Sequence, residues 1–167
     1  MTIRIRPAEA RDLPAVAEFG LALAQMHARL DHKRFILPDS GARAYLDFFT
    51  AELERPEVVL LIAEEHAMPI GYAFLRMEAA SIEEMSERSA WLHDVYVDPS
   101  FRGIGIGRQL VFAAIESARR LGSSCLMLGV SPVNTRARQL YERLGMRVTM
   151  TEMRLDLDGS DRLTSRS

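Results

Sequence analysis

The sequence predicts a single-domain α/β or α+β protein, with one mixed central sheet carrying helices on both faces. Three observations carry that expectation. Hydrophobic spacing switches between the two-residue and the 3.6-residue period in the order β-α-α-β-β-β-α-β-α-β. A turn with glycine at every second position, Gly103, Gly105 and Gly107, joins a strand pattern to a strong helical one. The chain has 167 residues, of which 48% are hydrophobic and 26% charged, enough for one domain with a real core and ordinary for a globular protein.

Residues 2–6 alternate polar and apolar as a short strand that Pro7 ends. Asp12 is placed to cap a helix with Leu13, Val16, Ala17, Gly20, Leu23, Ala24 and His27 on one face, reaching to about Leu30. Residues 31–40 are irregular and contain Pro38. Asp39 or Ser40 can then cap a second helix carrying Tyr45, Leu46, Phe49 and Leu53, which Pro56 stops. A continuous apolar run over 58–63 suits a buried strand; residues 66–69 read as a turn into a strand over 70–78, so this pair is expected to be a hairpin. Residues 79–89 are acidic and read as a solvated loop or a short helix.

The stretch WLHDVYVDPSFRGIGIG, residues 91–107, organises the rest. Strict alternation would send Leu92, Asp94, Tyr96 and Asp98 to one side of a strand and His93, Val95 and Val97 to the other. Pro99 closes the strand. The helix after the glycines buries Leu110, Val111, Ala114, Ile115, Ala118 and Leu121 and stops at Gly122. A strand is expected over 123–130, and then a last helix with Val133, Ala137, Leu140, Tyr141 and Leu144 on one face, ended by Gly145. Residues 146–157 alternate weakly, as one bent strand or two short ones. The domain is expected to span 1–157, and the apolar-poor 158–167 to form a flexible tail.

Composition excludes several functions. A formal net charge of -2 gives no field favouring nucleic acid or an anionic membrane surface. The one cysteine, Cys125, allows no internal disulfide and no multi-cysteine metal site, so no metal is expected. No signal-peptide core or membrane-length apolar run is present, and a cytoplasmic location is expected.

The glycine turn points to an anion. Residues without a Cβ reach backbone conformations that turn successive N–H groups into one concavity. A helix N-terminus adds its own unsatisfied amides and a partial positive charge, which together suit a phosphate or pyrophosphate. Two better-known phosphate motifs fail on spacing: a dinucleotide fingerprint needs glycine where Arg108 stands, and a P-loop needs Gly-Lys-Ser/Thr, which is absent.

The pattern that fits is Arg/Gln-x-x-Gly-x-Gly/Ala, here Arg102-Gly103-Ile104-Gly105-Ile106-Gly107. Downstream, Asn134, Ala137, Leu140, Tyr141, Gly145 and Met146 follow Asn-x-x-Ala-x-x-Leu-Tyr-x-x-x-Gly-Phe, with Met for Phe. On these two motifs, in this order, the chain resembles the GNAT superfamily of acetyl-coenzyme A dependent N-acetyltransferases over roughly residues 89–157. The resemblance implies a mostly antiparallel sheet that splays open between the fourth and fifth strands to admit the pantetheine arm. It implies acetyl-CoA as cosubstrate and coenzyme A as product, bound by Val95, Tyr96, Val97, Arg102 through Arg108, Asn134, Ala137 and Tyr141. It also implies a small-molecule or peptide amine as acceptor, and allows a homodimer.

Acetyl transfer from a thioester needs a neutral amine, stabilisation of the developing oxyanion and a proton for the departing thiolate. A lysine-type ammonium costs about 4.6 kcal/mol to deprotonate at pH 7, an α-amino group only about 1.4 kcal/mol. By its motif position Tyr141 is the candidate acid for the leaving group, although an inward aromatic is also a core residue. The resemblance also implies an oxyanion donor among the backbone amides of Val95, Tyr96 and Val97. His93, Asp94 and Glu78 compete for the base, acting directly or through water. Arg102 and Arg108 flank the anion site, and Asn134 either contacts the pantetheine amides or caps its helix. Direct attack in a ternary complex is the expected mechanism; a non-catalytic acyl-CoA sensor is the alternative.

Overall fold

A computed structural model describes residues 2–157, so the expected tail at 158–167 lies outside the described residues. Five strands form one sheet in the order β1-β2-β3-β4-β5: β1 (Ile3–Pro7), β2 (Val58–Glu65), β3 (Met68–Glu78), β4 (Ser89–Val97) and β5 (Leu126–Met127). The first four are antiparallel neighbours, and β5 runs parallel to β4. The β2–β3 hairpin turns through His66 and Ala67, both at positive φ (49° and 64°), as a two-residue turn requires even without glycine.

Two-residue alternation sorts the strand residues into two cores. Leu60 and Ile62 of β2, with Tyr72 and Phe74 of β3, pack against α1 (Leu13–Leu30) and α2 (Ala42–Leu53) through Val16, Leu23 and Phe49. Leu61, Ala63, Ala73 and Leu75 face the other way, onto Leu110, Val111 and Ala114 of α3 (Ile106–Arg120); Leu140 and Tyr141 of α4 (Thr135–Arg143) pack at the margin of this second core. Burying a side chain the size of Leu110 contributes about 1.5–3 kcal/mol. The five buried apolar residues of α3 therefore fix where its N-terminus points.

Several local expectations are corrected. Asp12 precedes α1 but makes no side-chain cap to it; its carboxylate accepts from the Glu9 N–H (2.8 Å) and from both terminal nitrogens of Arg6 (2.6 and 2.9 Å). Arg6 also donates to Glu64 (2.9 Å), so this buried triad ties β1, β2 and the start of α1 together. The second helix opens at Gly41, whose φ of 57° breaks the chain direction, and neither Asp39 nor Ser40 caps it. The strand expected over 123–130 is reduced to Leu126–Met127. Residues 146–157 form no strand: so short a β5 offers little edge to extend, and Val148, Met150, Met153 and Leu155 stay exposed. No helix among the described residues is long and apolar enough to cross a membrane.

The end of β4 depends on one close approach. Gly71 of β3 sits opposite Val97, and a Cβ there would lie 2.5 Å from the Tyr96 carbonyl oxygen and 3.2 Å from the Val97 Cα. Because backbone atoms cannot yield as a flexible side chain can, Gly71→Ala is expected to cost about 2–3 kcal/mol of stability. Urea unfolding checks this; an unchanged midpoint would mean that β3 and β4 accommodate the methyl group.

Candidate active site

The site begins where β4 loses its neighbour. β5 pairs with β4 only at Ala90 and Trp91, so among the described residues the remainder of β4, through Val97, has no strand on that side. Asp98 donates its N–H to the Ile70 carbonyl (2.9 Å). By the alternation of an antiparallel ladder, the backbone groups of Asp94 and Tyr96 then point at β3, and those of Val95 and Val97 at the open side. The Val97 carbonyl accepts there from Arg102 Nε (2.8 Å).

After β4 the chain makes a short turn at Pro99–Phe101, capped by Asp98 Oδ1 accepting from Ser100 N–H (2.8 Å), and enters the glycines. Gly103 and Gly105 have φ of 90° and 91°, left-handed values that disfavour any side chain. Ile104 between them is exposed, whereas Ile106 is buried and anchors the first turn of α3. The first hydrogen bond of α3 runs from Gln109 N–H to the Gly105 carbonyl, so the amides of Ile106, Gly107 and Arg108 have no acceptor among the described residues. Gly107 differs from its two neighbours. It lies inside the helix, and an added Cβ would make only ordinary contacts, 3.8 Å from Leu140 and 3.9 Å from Val97. The protein itself does not require glycine there. These residues fit a diphosphate: free amides, a dipole and a surface without side-chain bulk converge.

The two arginines do not reach over the turn together. Arg102 folds back to the end of β4, its guanidinium 5.4 Å from the centroid of Tyr96, and Arg108 lies over Phe112 at 5.2 Å. Asn134 caps α4, its Oδ1 accepting from the Ala137 N–H (3.2 Å). The Ala137 amide is thereby committed to Asn134. Tyr141 packs at the edge of the α3-side core, and burial pushes its phenol above the usual value.

The base candidates are rearranged by a bulge. Phe74 pairs with Asp94 but Leu75 pairs with Leu92, leaving His93 as an extra residue in β4. The expectation that His93 and Asp94 face opposite sides is thus corrected. The His93 ring stacks on Phe74 (5.3 Å) and Trp91 (6.4 Å), while Asp94 accepts from the hydroxyl of Tyr72 (2.9 Å); Phe74 and Tyr72 both belong to the core under α1 and α2. His93 Nε2 is 2.8 Å from Glu78 Oε1, and Glu78 also accepts from Arg76 Nε (2.8 Å). Burial favours the neutral Glu78 carboxyl, yet the bonds from Arg76 and His93 outweigh it and hold the group below its usual range. For Asp94 burial prevails over the Tyr72 hydrogen bond and the nearby His93, and its carboxyl is raised.

Asp94 forms part of the wall of a cleft of about 290 Å³ between α1, the α1–α2 connection and α2. Leu23 and His27 of α1, Arg34 and Phe35 of the connection, and Tyr45 of α2 complete it. Room for Tyr45 comes from Gly20, where a Cβ would stand 2.8 Å from its ring. His27 and Phe35 line the cleft stacked at 4.9 Å, whereas the neighbouring Asp31 and His32 do not, Asp31 being used to accept from the Lys33 and Arg34 amides. Glu83, Glu84 and Glu87 also lie outside it. Arg34, Tyr45 and Tyr72 were not singled out by the sequence. Tyr72 alone carried a signal, as a polar aromatic inside an otherwise apolar strand.

With this geometry in view, the family model described as Acetyltransferase (GNAT) family matches residues 23–146. The chain belongs to that family. Among curated GNAT relatives, an uncharacterized N-acetyltransferase, YhfO, of Bacillus subtilis is 33% identical over 86% of this chain and 89% of its own length. The L-amino acid N-acyltransferase MnaT of Escherichia coli is 32% identical over 54% of this chain and 51% of its own. The fold is shared with a mutant form of the BH1408 protein of Bacillus halodurans (TM-score 0.81, 24% identity, 92% of this chain and 99% of that one). It is also shared with the aminoglycoside N-acetyltransferase AAC(6')-Iy in complex with CoA (TM-score 0.71, 22% identity, 93% and 94%).

The Asp94 environment makes a direct prediction for this GNAT protein. The Tyr72 hydroxyl favours the carboxylate, so Tyr72→Phe is expected to move the Asp94 titration midpoint further upward. Carboxyl ¹³C NMR reads it; a midpoint unchanged or lowered would remove the hydrogen bond from the account.

Proposed function

We propose that the protein transfers the acetyl group of acetyl-CoA to the amine of a small molecule by direct attack within a ternary complex. The observation that carries the reading is the set of free amides at Ile106, Gly107 and Arg108 behind the two left-handed glycines, opening beside the unpaired edge of β4. These amides would hold the diphosphate of the cosubstrate, which supplies the activated acetyl group. That Gly107 is not demanded by the fold supports a ligand approaching the helix surface there.

The remaining roles follow from where each group points. Of the three amides expected as oxyanion donors, Val95 and Val97 face the open side, and Tyr96 is turned to β3. Both of these N–H groups remain candidates for the donor, because the Arg102 bond engages only the Val97 carbonyl oxygen. Asp94 accepts the proton of the attacking amine, since it is the base candidate that lines the cleft, and burial raises its basicity. His93, held by Glu78, bears on Asp94 through its charge, and Glu78 is committed to Arg76 and His93. The amine nitrogen bonds to the acyl carbon as the carbon–sulfur bond breaks. Tyr141, kept protonated by burial, donates its hydroxyl proton to the leaving thiolate and regains one from solvent.

Two expected outcomes test this. Left-handed backbone at a β-branched residue costs roughly 1–2 kcal/mol, so Gly105→Val should redirect the turn and weaken coenzyme A binding about tenfold or more with the circular dichroism spectrum retained. Unchanged calorimetric affinity would reject the turn as the anion site. Tyr141→Phe should lower turnover, read as thiol release with an amine panel, by a factor of about 10² or more while coenzyme A affinity stays within threefold. Full activity would dismiss the phenol, and tight cofactor binding with no thiol release from any amine would favour an acyl-CoA sensor.

A further inference from the structure

The charges around the cleft say more about the acceptor. Two residues of its lining carry formal charge, Asp94 on β4 and Arg34 on the α1–α2 connection, and they are of opposite sign on different elements. His27, also in the wall, is disfavoured as a cation because it is buried. Leu23, Phe35, Ile36 and Tyr45 supply the rest of the surface that matters, apolar or aromatic. A site with one anion, one cation and an apolar wall is complementary to a dipolar ligand rather than to a simple cation.

Arg34 already shows which partner it takes. Glu152, from the irregular segment after α4, places both carboxylate oxygens on it: Nε to Oε1 at 2.5 Å and Nη2 to Oε2 at 3.0 Å. That is the two-pronged geometry by which a guanidinium recognises any carboxylate. The guanidinium is steadied at 5.1 Å from the centroid of Phe35, itself a wall of the cleft. Both members of the pair are largely exposed, 45% for Arg34 and 65% for Glu152, and a pair so exposed contributes little to stability. A ligand carboxylate can therefore take the place of Glu152 at small cost. The segment itself stays attached to the connection through Asp156 on Lys33 (3.1 Å) and through Arg154, which donates to the Lys33 carbonyl.

We infer that the acceptor is a small amino acid-like zwitterion with an apolar side chain, its amine directed to Asp94 and its carboxylate to Arg34 in place of Glu152. The inference rests on the acetyl-transfer reading and narrows its substrate. A cleft of about 290 Å³ lies at the small end of ligand pockets and has room for one amino acid.

The test pairs acceptors that differ only in the carboxylate: L-phenylalanine with phenethylamine, L-leucine with isopentylamine, each with saturating acetyl-CoA and thiol release as readout. The amino acids are expected to exceed their decarboxylated partners at least tenfold in kcat/KM. Arg34→Gln should erase that preference, chiefly by raising KM for the amino acids, and Glu152→Gln should lower the same KM several-fold. Equal or better turnover of the decarboxylated amines, or a preference that survives Arg34→Gln, would overturn the acceptor class while leaving acetyl transfer standing. Should no amine release thiol, calorimetry with L-phenylalanine in the presence of coenzyme A decides: binding that Arg34→Gln abolishes supports the zwitterion site although the transfer reading fails, and absence of binding overturns the inference.

Discussion

Everything functional in this molecule follows from β4 having a partner along its whole length on one side and for only two residues on the other. A strand edge left unpaired presents N–H and C=O groups that must find other partners. Here the groups of Val95 and Val97 face that edge, and one of them, the Val97 carbonyl, is met by Arg102. The N-terminus of α3 stands beside that end of the strand, near Val97, its direction fixed by Ile106, Leu110 and Val111 in the core. The opening and the free amides are thus two results of one packing arrangement.

The other face of β4 carries the candidate base groups, and a second irregularity puts them there. Without the bulge at His93 the strand would send histidine and aspartate to opposite cores. With it, both stand on the α1–α2 side, where Tyr72 and the low polarity of the core act on Asp94 and a chain of ion pairs through Glu78, Arg76 and Glu52 fixes His93. A half-buried carboxylate with one tyrosine hydroxyl as its hydrogen-bond partner is costly to ionise, and in the proposed reaction that cost would give it affinity for an amine proton.

Much of this was legible in the residues themselves. Period-two and period-3.6 spacing located the helices and four of the strands, because each of those segments turns an apolar face toward one of the two cores. The glycine spacing was informative for a stronger reason: two of the three positions adopt φ values that other residues avoid. The bulge had no such mark, since the extra residue is a histidine and neither neighbour is glycine or proline. Alternation across 146–157 misled for the opposite reason. The pattern was present, but pattern alone does not provide a strand to pair with, and the segment instead satisfies its charges on Lys33 and Arg34. Arg34 and Tyr45 drew no attention because their meaning comes from the cleft that α1 and α2 enclose, which no local spacing encodes.

The claim most worth direct measurement is that the amides opening α3 are the anion site. Backbone ¹⁵N–¹H spectra recorded during titration with coenzyme A, and again with pantetheine, which lacks the diphosphate and the adenosine nucleotide beyond it, resolve it residue by residue. The account predicts that Gly103 through Arg108 shift strongly with coenzyme A and little with pantetheine, while Val95 and Val97 respond to both. Shifts that leave residues 103–108 unmoved as coenzyme A saturates would contradict it.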